Sequence, residues 1–378
     1  MTGKRHHYVP RFLQAGFNSR PGERARRAWL YRKGGATPLE VTLKHISVEV
    51  SFYRYQASGV DISADEAITR AEGQRLAPLV QKLRTGNPTS ILDPAALAEL
   101  FAHIYARTKA LWEIGRLQAP LMFERLATFT RDPQAIQSVL PRLLETQRPI
   151  VTRLLASRYP DRDVGELLSE WGEQIQGVAS EKLSADIGRI SDALLGWALR
   201  ALQVSKVQSM QELSKNPALA KRFHGCTFRL LEFDGARLVQ GDTPVVFYRV
   251  GGFTPMLAKD ESFDYAFLPV TPMRVVVACV RDIPHSWEEL RDASIACSHE
   301  HFIAAARYPE LATLATTIGH SFPAVTDADI EKLFAEAVAL TSAADWLGTD
   351  AGAMVERLAH ECLWPPQDGG PSSSGEEK

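Results

Sequence analysis

Two kinds of hydrophobic pattern meet in this chain, and any fold must satisfy both. From residue 63 to about 214 the pattern is helical; after Asn216-Pro217 it changes to short runs rich in β-branched and aromatic residues. A helical stripe and a sheet face each need a second layer to bury them, so the expected class is α+β. Asp93-Pro94 opens the clearest helix, with a side-chain cap and proline at the first position. Its apolar stripe runs Leu97, Leu100, Phe101, Ile104, Leu111, with Thr108 filling one gap. Pro120, Pro133, Pro141 and Pro149 punctuate the helices that follow, and Ser180 or Ser184 opens another. Residues 226–233, 245–250, 265–270 and 274–280 read as strands. The turn signals between them are Asp234-Gly235, Gly241-Asp242, Gly251-Gly252 and Thr271-Pro272.

Toward the N-terminus, residues 10–17 read as a short helix, 28–32 as a strand and 48–55 as a strand or extended segment. The expected architecture is a helical middle packed against a mixed or antiparallel sheet. That sheet is built mainly from residues 225–280, and the N-terminal strand joins it. Residues 1–364 then make one domain: a helical part at 63–214, a sheet-rich part at 225–310 and C-terminal helices at 311–364. Helices are expected to resume near Ser286 and run to about 347, with helix rather than strand over 300–307. Residues 365–378 carry no large apolar side chain and read as a disordered tail.

Composition narrows the setting. Hydrophobic residues make up 45% of 378 and charged residues 23%, as in an ordinary soluble domain. No apolar run reaches the ~20 residues of a membrane span, and no apolar signal core follows the basic N-terminus. The expectation is a cytoplasmic protein without a membrane partner. Cys226, Cys279, Cys297 and Cys362 show no Cys-x-x-Cys spacing, which fits buried thiols better than disulfides. Residues 1–33 hold nine Lys or Arg against one acid, Glu23, making that segment about +8 and the remainder about −10. Such a segment attracts phosphates, so nucleic acid is a candidate partner, favoured by the interleaved Tyr8, Phe12, Phe17, Trp29 and Tyr31. The plainer reading is a solvated basic stretch that balances an acidic body.

The chain opens Lys4-Arg5-His6-His7-Tyr8-Val9-Pro10-Arg11-Phe12-Leu13, with Gly16-Phe17 soon after. Further on come Ala106-Arg107-Thr108, Gly241-Asp242-Thr243-Pro244-Val245-Val246 and Leu268-Pro269-Val270-Thr271-Pro272. Together these resemble the bacterial family catalogued as domain of unknown function 4238, over roughly residues 4 to 310. Where this chain has Gly-Asp-Thr-Pro-Val, that family more often reads Ser-Asp-Asn-Pro-Val. The resemblance marks positions to watch and implies no particular reaction.

The candidate site residues follow from chemistry. His6 and His7 can move a proton or ligate a metal near neutral pH, but neighbours in an extended segment point opposite ways, so one at most enters a site. The structural alternative is a ring bonded to backbone. Asp242 would orient such an imidazole or share a metal with it, although Asp, Thr and Pro also simply favour a turn. Arg107, with His103 four residues earlier on the same helix face, is a candidate phosphate clamp, and Arg11 a further substrate contact. An Arg bonded to an acid such as Glu99 or Glu113, or to carbonyls, is the alternative. Cys297-Ser298-His299-Glu300-His301 would place 297, 299 and 301 on one face of a strand, but only Cys297 and His301 together on a helix. No second pair completes a zinc site.

These residues lead to an expected function: a nuclease-like enzyme cleaving phosphodiester bonds, in a bacterial defence or toxin setting. His6 or His7 would be base or metal ligand, Asp242 its partner and Arg107 the clamp, with a divalent metal as candidate cofactor. The alternative is a non-catalytic sensor or protein-binding module in which the same residues knit the fold. A third reading is a hydrolase of some smaller substrate.

Overall fold

The computed structural model describes residues 5–35, 37–57, 60–87, 93–131, 160–166, 220–257, 261–281 and 286–322, with isolated helical positions between 152 and 211. In chain order these form β1 (Arg5–His7), α1 (Arg11–Gln14), β2 (Arg27–Arg32), β3 (Leu39–Thr42), β4 (Val48–Val50), β5 (Arg54–Ala57) and β6 (Val60–Ser63). Four helices follow: α2 (Asp65–Ala71), α3 (Ala77–Thr85), α4 (Pro94–Ala106) and α5 (Lys109–Arg131). Six strands come next: β7 (Thr227–Glu232), β8 (Gln240–Gly241), β9 (Val246–Arg249), β10 (Gly252–Thr254), β11 (Tyr265–Pro269) and β12 (Arg274–Cys279). Then come α6 (Trp287–Ala296), β13 (His301–Ala304) and α7 (Pro309–Leu314). The class is α+β, as the mixed patterning requires.

By their contacts, Met1–Arg116 and Arg200–Ala324 form one compact unit, and Leu117–Leu199 with Val325–Lys378 a second. Within the second, α5 continues to Arg131, and Asp163 Oδ1 accepts the Glu166 N–H at 3.0 Å. The helix expected from Ser180 or Ser184, the tail at 365–378 and Cys362 lie outside the described residues.

The first unit holds two larger antiparallel sheets. One has the order β10-β9-β11-β12-β7. Its central strands are buried on both faces. Alternation sends Ala266, Leu268, Val276 and Ala278 toward a core with Leu76, Val80, Leu97, Phe101 and Ile104. Tyr265, Phe267, Val275 and Val277 go the other way, against Leu290, Ala293 and Cys297. A strand clad on both faces reads as a continuous apolar run, and that is why 265–270 and 274–280 are plain in the sequence.

The second sheet has the order β3-β2-β13-β8. It corrects two expectations. The N-terminal strand at 28–32 exists, but it pairs with β13 and β3 rather than with the 225–280 sheet. Helix does not continue through 300–307: α6 ends at Ala296, and His301–Ala304 is a strand, buried at all four positions. Tyr31 and Phe302 stack across β2 and β13 with ring centroids 4.7 Å apart, a cross-strand aromatic pair that outweighs the local preference.

The helical stretch needs one correction. Leu97, Leu100, Phe101 and Ile104 form the buried stripe of α4, and Asp93 caps it by accepting from the Ala95 and Ala96 N–H groups. Leu111 belongs to α5, because the helix is interrupted at Arg107-Thr108. Between α2 and α3, Glu72–Leu76 widens into a π turn. Pro78, at the start of α3, has no N–H to continue a regular ladder back into that turn.

The opening motif is explained by close approach. A Cβ on Gly16 would lie 1.9 Å from the Val270 carbonyl oxygen, so only glycine lets α1 seat against the end of β11. Arg84 clasps the same junction. Its Nε donates to Val270 O at 3.1 Å and its Nη2 to Leu13 O at 2.9 Å. Cys226, Cys279 and Cys297 are buried free thiols. Among the described residues no helix is long and apolar enough to cross a membrane.

Candidate active site

β1 pairs antiparallel with β4, and its alternation separates the two histidines: His6 points in, His7 is half-buried. His6 Nδ1 accepts the Tyr53 N–H at 3.2 Å, so its proton sits on Nε2, 2.9 Å from Asp65 Oδ1. Its ring stacks on Tyr53 at 5.0 Å. His6 is thus a structural ring, bonded to the Tyr53 backbone through one nitrogen and facing Asp65 with the other. His7 Nδ1 lies 3.1 Å from the Ile46 carbonyl, which can only accept, so the proton is on that nitrogen. Burial lowers the His7 pKa to about 4, with Arg11, Arg107 and Arg5 adding to the effect against the hydrogen bond to Ile46.

Arg107 is not a phosphate clamp. Its side chain is 2% exposed and ion-paired with Glu72 on the π turn. Its Nε donates to the Tyr53 hydroxyl at 2.6 Å, which donates onward to His7 O at 2.6 Å. Its Nη2 donates to the same His7 carbonyl. The guanidinium is therefore spent on pinning β1 to α4. The acid it grips is Glu72, neither Glu99 nor Glu113. His103 is also buried, with Nε2 3.4 Å from Arg107 Nη1, and Arg11 is exposed on α1.

Burial lowers the His103 pKa from its ordinary 6.5 to about 4. The folded chain therefore refuses a proton that the unfolded chain binds between those values. Stability from this group is full above pH 6.5 and is lost as pH falls toward 4, by up to ~3 kcal/mol. Urea melts at pH 7 and pH 4.5 should show a smaller loss on acidification for His103→Gln than for the parent. Equal losses would mean His103 does not sense this window.

Asp242 is not the partner of the N-terminal histidines. Its Oδ1 accepts the His299 N–H at 2.7 Å, and its Oδ2 accepts those of Glu300 at 2.7 Å and His301 at 3.1 Å. Its own N–H donates to His301 O at 3.0 Å. It does not cap its own turn: it gathers the start of β13, a strand 57 to 59 residues away. Gly241 makes this possible, since a Cβ there would lie 2.4 Å from Ser298 Oγ and 3.0 Å from Ser294 O. The carboxylate also faces an imidazole, with His301 Nδ1 3.5 Å from Oδ2. Catalytic hydrogen bonds are often this long before a substrate tightens them.

The other nitrogen of that imidazole meets a residue that sequence reasoning missed. His301 Nε2 lies 2.9 Å from Ser47 Oγ. Ser47 sits between β3 and β4 at φ +53°, one of two non-glycine residues with positive φ among those described, the other being Ser51. A serine held there costs about 1–3 kcal/mol, a strain that clusters at functional sites. The Tyr8 N–H donates to Ser47 O at 3.0 Å and helps hold the turn. Ser47, His301 and Asp242 thus stand in the relay order of nucleophile, base and orienting acid.

The group opens on a cleft of about 270 Å³ lined by Tyr8, Arg32, His45, Ser47, Glu300 and His301. Burial lowers the His301 pKa, against the raising influence of Asp242 and Glu300, so its ring is neutral and able to accept a proton. Burial, then Asp242 and Glu300, push the Tyr8 phenol far up, against a side-chain hydrogen bond with Ser47. Tyr8 therefore stays a protonated donor beside Ser47. Asp242, Glu300 and His301 also offer ligand atoms within 4.8 Å of one another, the geometry of a metal site. All three are already engaged: Asp242 with three N–H groups, Glu300 with Lys109 Nζ at 3.2 Å and His301 with Ser47 Oγ at 2.9 Å. Cys297 does not join them. It caps α6, and burial pushes its thiol up to about 12.

One signal for His301 was present in the sequence, as the strand-face option within 297–301; Ser47 carried none. In comparisons with family models, curated proteins and solved structures, no match was found.

Proposed function

We propose that this protein is a hydrolase with Ser47 as nucleophile, His301 as general base and Asp242 as the carboxylate that orients it. One observation carries the reading: Ser47 Oγ is 2.9 Å from His301 Nε2 while Asp242 Oδ2 faces Nδ1 of the same ring. Asp242 favours the proton on Nδ1, which leaves the Nε2 lone pair for the Ser47 hydroxyl proton.

In the reaction, Ser47 Oγ bonds to the carbonyl carbon of an ester as its proton passes to His301 Nε2. The Tyr8 hydroxyl donates to the oxygen that gains charge. The tetrahedral species collapses, the ester C–O bond breaks, and the leaving alkoxide takes the proton from His301. Water then loses a proton to His301, attacks the acyl carbon and releases the acid, and Ser47 Oγ recovers its proton. The hydrolytic chemistry expected from the sequence is kept, but at residues other than the N-terminal histidines.

A fluorophosphonate probe tests this directly. The folded protein should gain one phosphonyl group, with fluoride as the leaving group, mapped by peptide sequencing to Ser47. Ser47→Ala should abolish labelling with the melting temperature within a few degrees of the parent, because the hydroxyl supplies only about one net hydrogen bond. A folded protein that takes no label would leave these polar groups as scaffold, and the binding-module reading would replace this one.

A further inference from the structure

We infer that the substrate carries an anionic oxygen group, a carboxylate or a phosphate, beside its scissile bond, and that Arg32 places it. This rests on the hydrolase reading above. The argument starts from the charges on the cleft walls. Glu300, the acid on the cleft lining, is held by Lys109 at 3.2 Å; Lys109 also reaches Glu49 at 3.5 Å, so one ammonium serves two carboxylates. Arg32 lines the same cleft and has no acidic partner among the described residues. It lies opposite His301 in the β2–β13 register, and its charge helps hold the His301 pKa down.

A cation beside the base, unmatched by any acid, costs nothing when water fills the cleft and gains a partner when an anion enters. A guanidinium gives a carboxylate or phosphate two parallel donors, fixing its orientation as well as its position. His45, also on the cleft lining, adds a polar ring. The cleft volume of about 270 Å³ is at the small end for ligand sites, so the group placed there is short.

The test compares two esters that differ in charge: p-nitrophenyl acetate and the mono-p-nitrophenyl ester of succinic acid. The parent should favour the succinate ester in kcat/KM by about 10- to 100-fold, the scale of one charge-assisted hydrogen bond. Arg32→Gln should bring the ratio toward one, and Arg32→Lys should keep part of it. Protection of Ser47 from the fluorophosphonate by succinate or by inorganic phosphate, each titrated alone, would say which anion the site prefers. A parent ratio near one with Ser47 still labelled, or a ratio unchanged in Arg32→Gln, overturns the anion site and spares the hydrolase. Absence of labelling together with absence of hydrolysis of both esters overturns both.

Discussion

Arg107→Ala is expected to destabilise the protein by about 3–5 kcal/mol, the cost of breaking a buried ion pair from one side. Three partners lose their donor together: Glu72, the Tyr53 hydroxyl and the His7 carbonyl. The loss also spreads. Tyr53 donates to His7 O and supplies the N–H that fixes the His6 tautomer, so the whole of β1 loosens from α4. Denaturant melts would read the change directly. Arg107→Lys should recover only part, because an ammonium cannot reproduce the fork that meets Tyr53 and His7 at once. A cost below about 1 kcal/mol for the alanine variant, in the range of a surface ion pair, would show that the network is not what holds β1.

Asp242→Asn should leave a folded protein whose Ser47 labelling rate is lower by about 10⁴-fold, the loss seen when a triad acid becomes its amide. The amide nitrogen can only donate. Facing His301, it favours the tautomer with the proton on Nε2, and Ser47 then has no base. A stability loss of about 1–3 kcal/mol should accompany this, since the N–H groups of 299–301 lose an acceptor. The two effects separate by measuring labelling well below the unfolding transition. A labelling rate that falls only with the unfolded fraction would make Asp242 a brace for β13 and nothing more.

The sequence was legible where local chemistry and tertiary demand agree. Asp93-Pro94 caps a helix wherever it stands, and α4 starts there. Strands 265–270 and 274–280 are apolar on both faces because helices cover both. It misled where distant partners decide. His301–Ala304 is preceded by a helix and followed by alanines, yet it lies between β2 and β8, whose hydrogen-bonding edges are specified elsewhere in the chain. The candidate site was half legible for the same reason. Asp242 stood out through its Gly-Asp-Thr-Pro setting, and Arg107 through its place near a buried stripe. His301 showed only within the 297–301 cluster, and Glu72, Tyr53 and Ser47 not at all, because these residues are ordinary in their own neighbourhoods and gain meaning only across a separation as long as 254 residues. His6 and His7, the most conspicuous residues, turn out to fasten the strand that delivers Tyr8.

The position of β13 in its sheet sets a timetable for synthesis. β2 and β3 form a hairpin early, but the outer edge of β2 stays open until β13 arrives to fill the gap beside β8. At ~5–20 residues per second, the stretch from Ser47 to His301 takes roughly ten to fifty seconds to emerge. Throughout that interval a growing chain carries an unpaired strand edge, the feature most prone to wrong pairing. It also carries Ser47 without the imidazole that it meets in the fold. The Ser47–His301 contact and protection of the sheet edge therefore arrive in one step, with the same four residues.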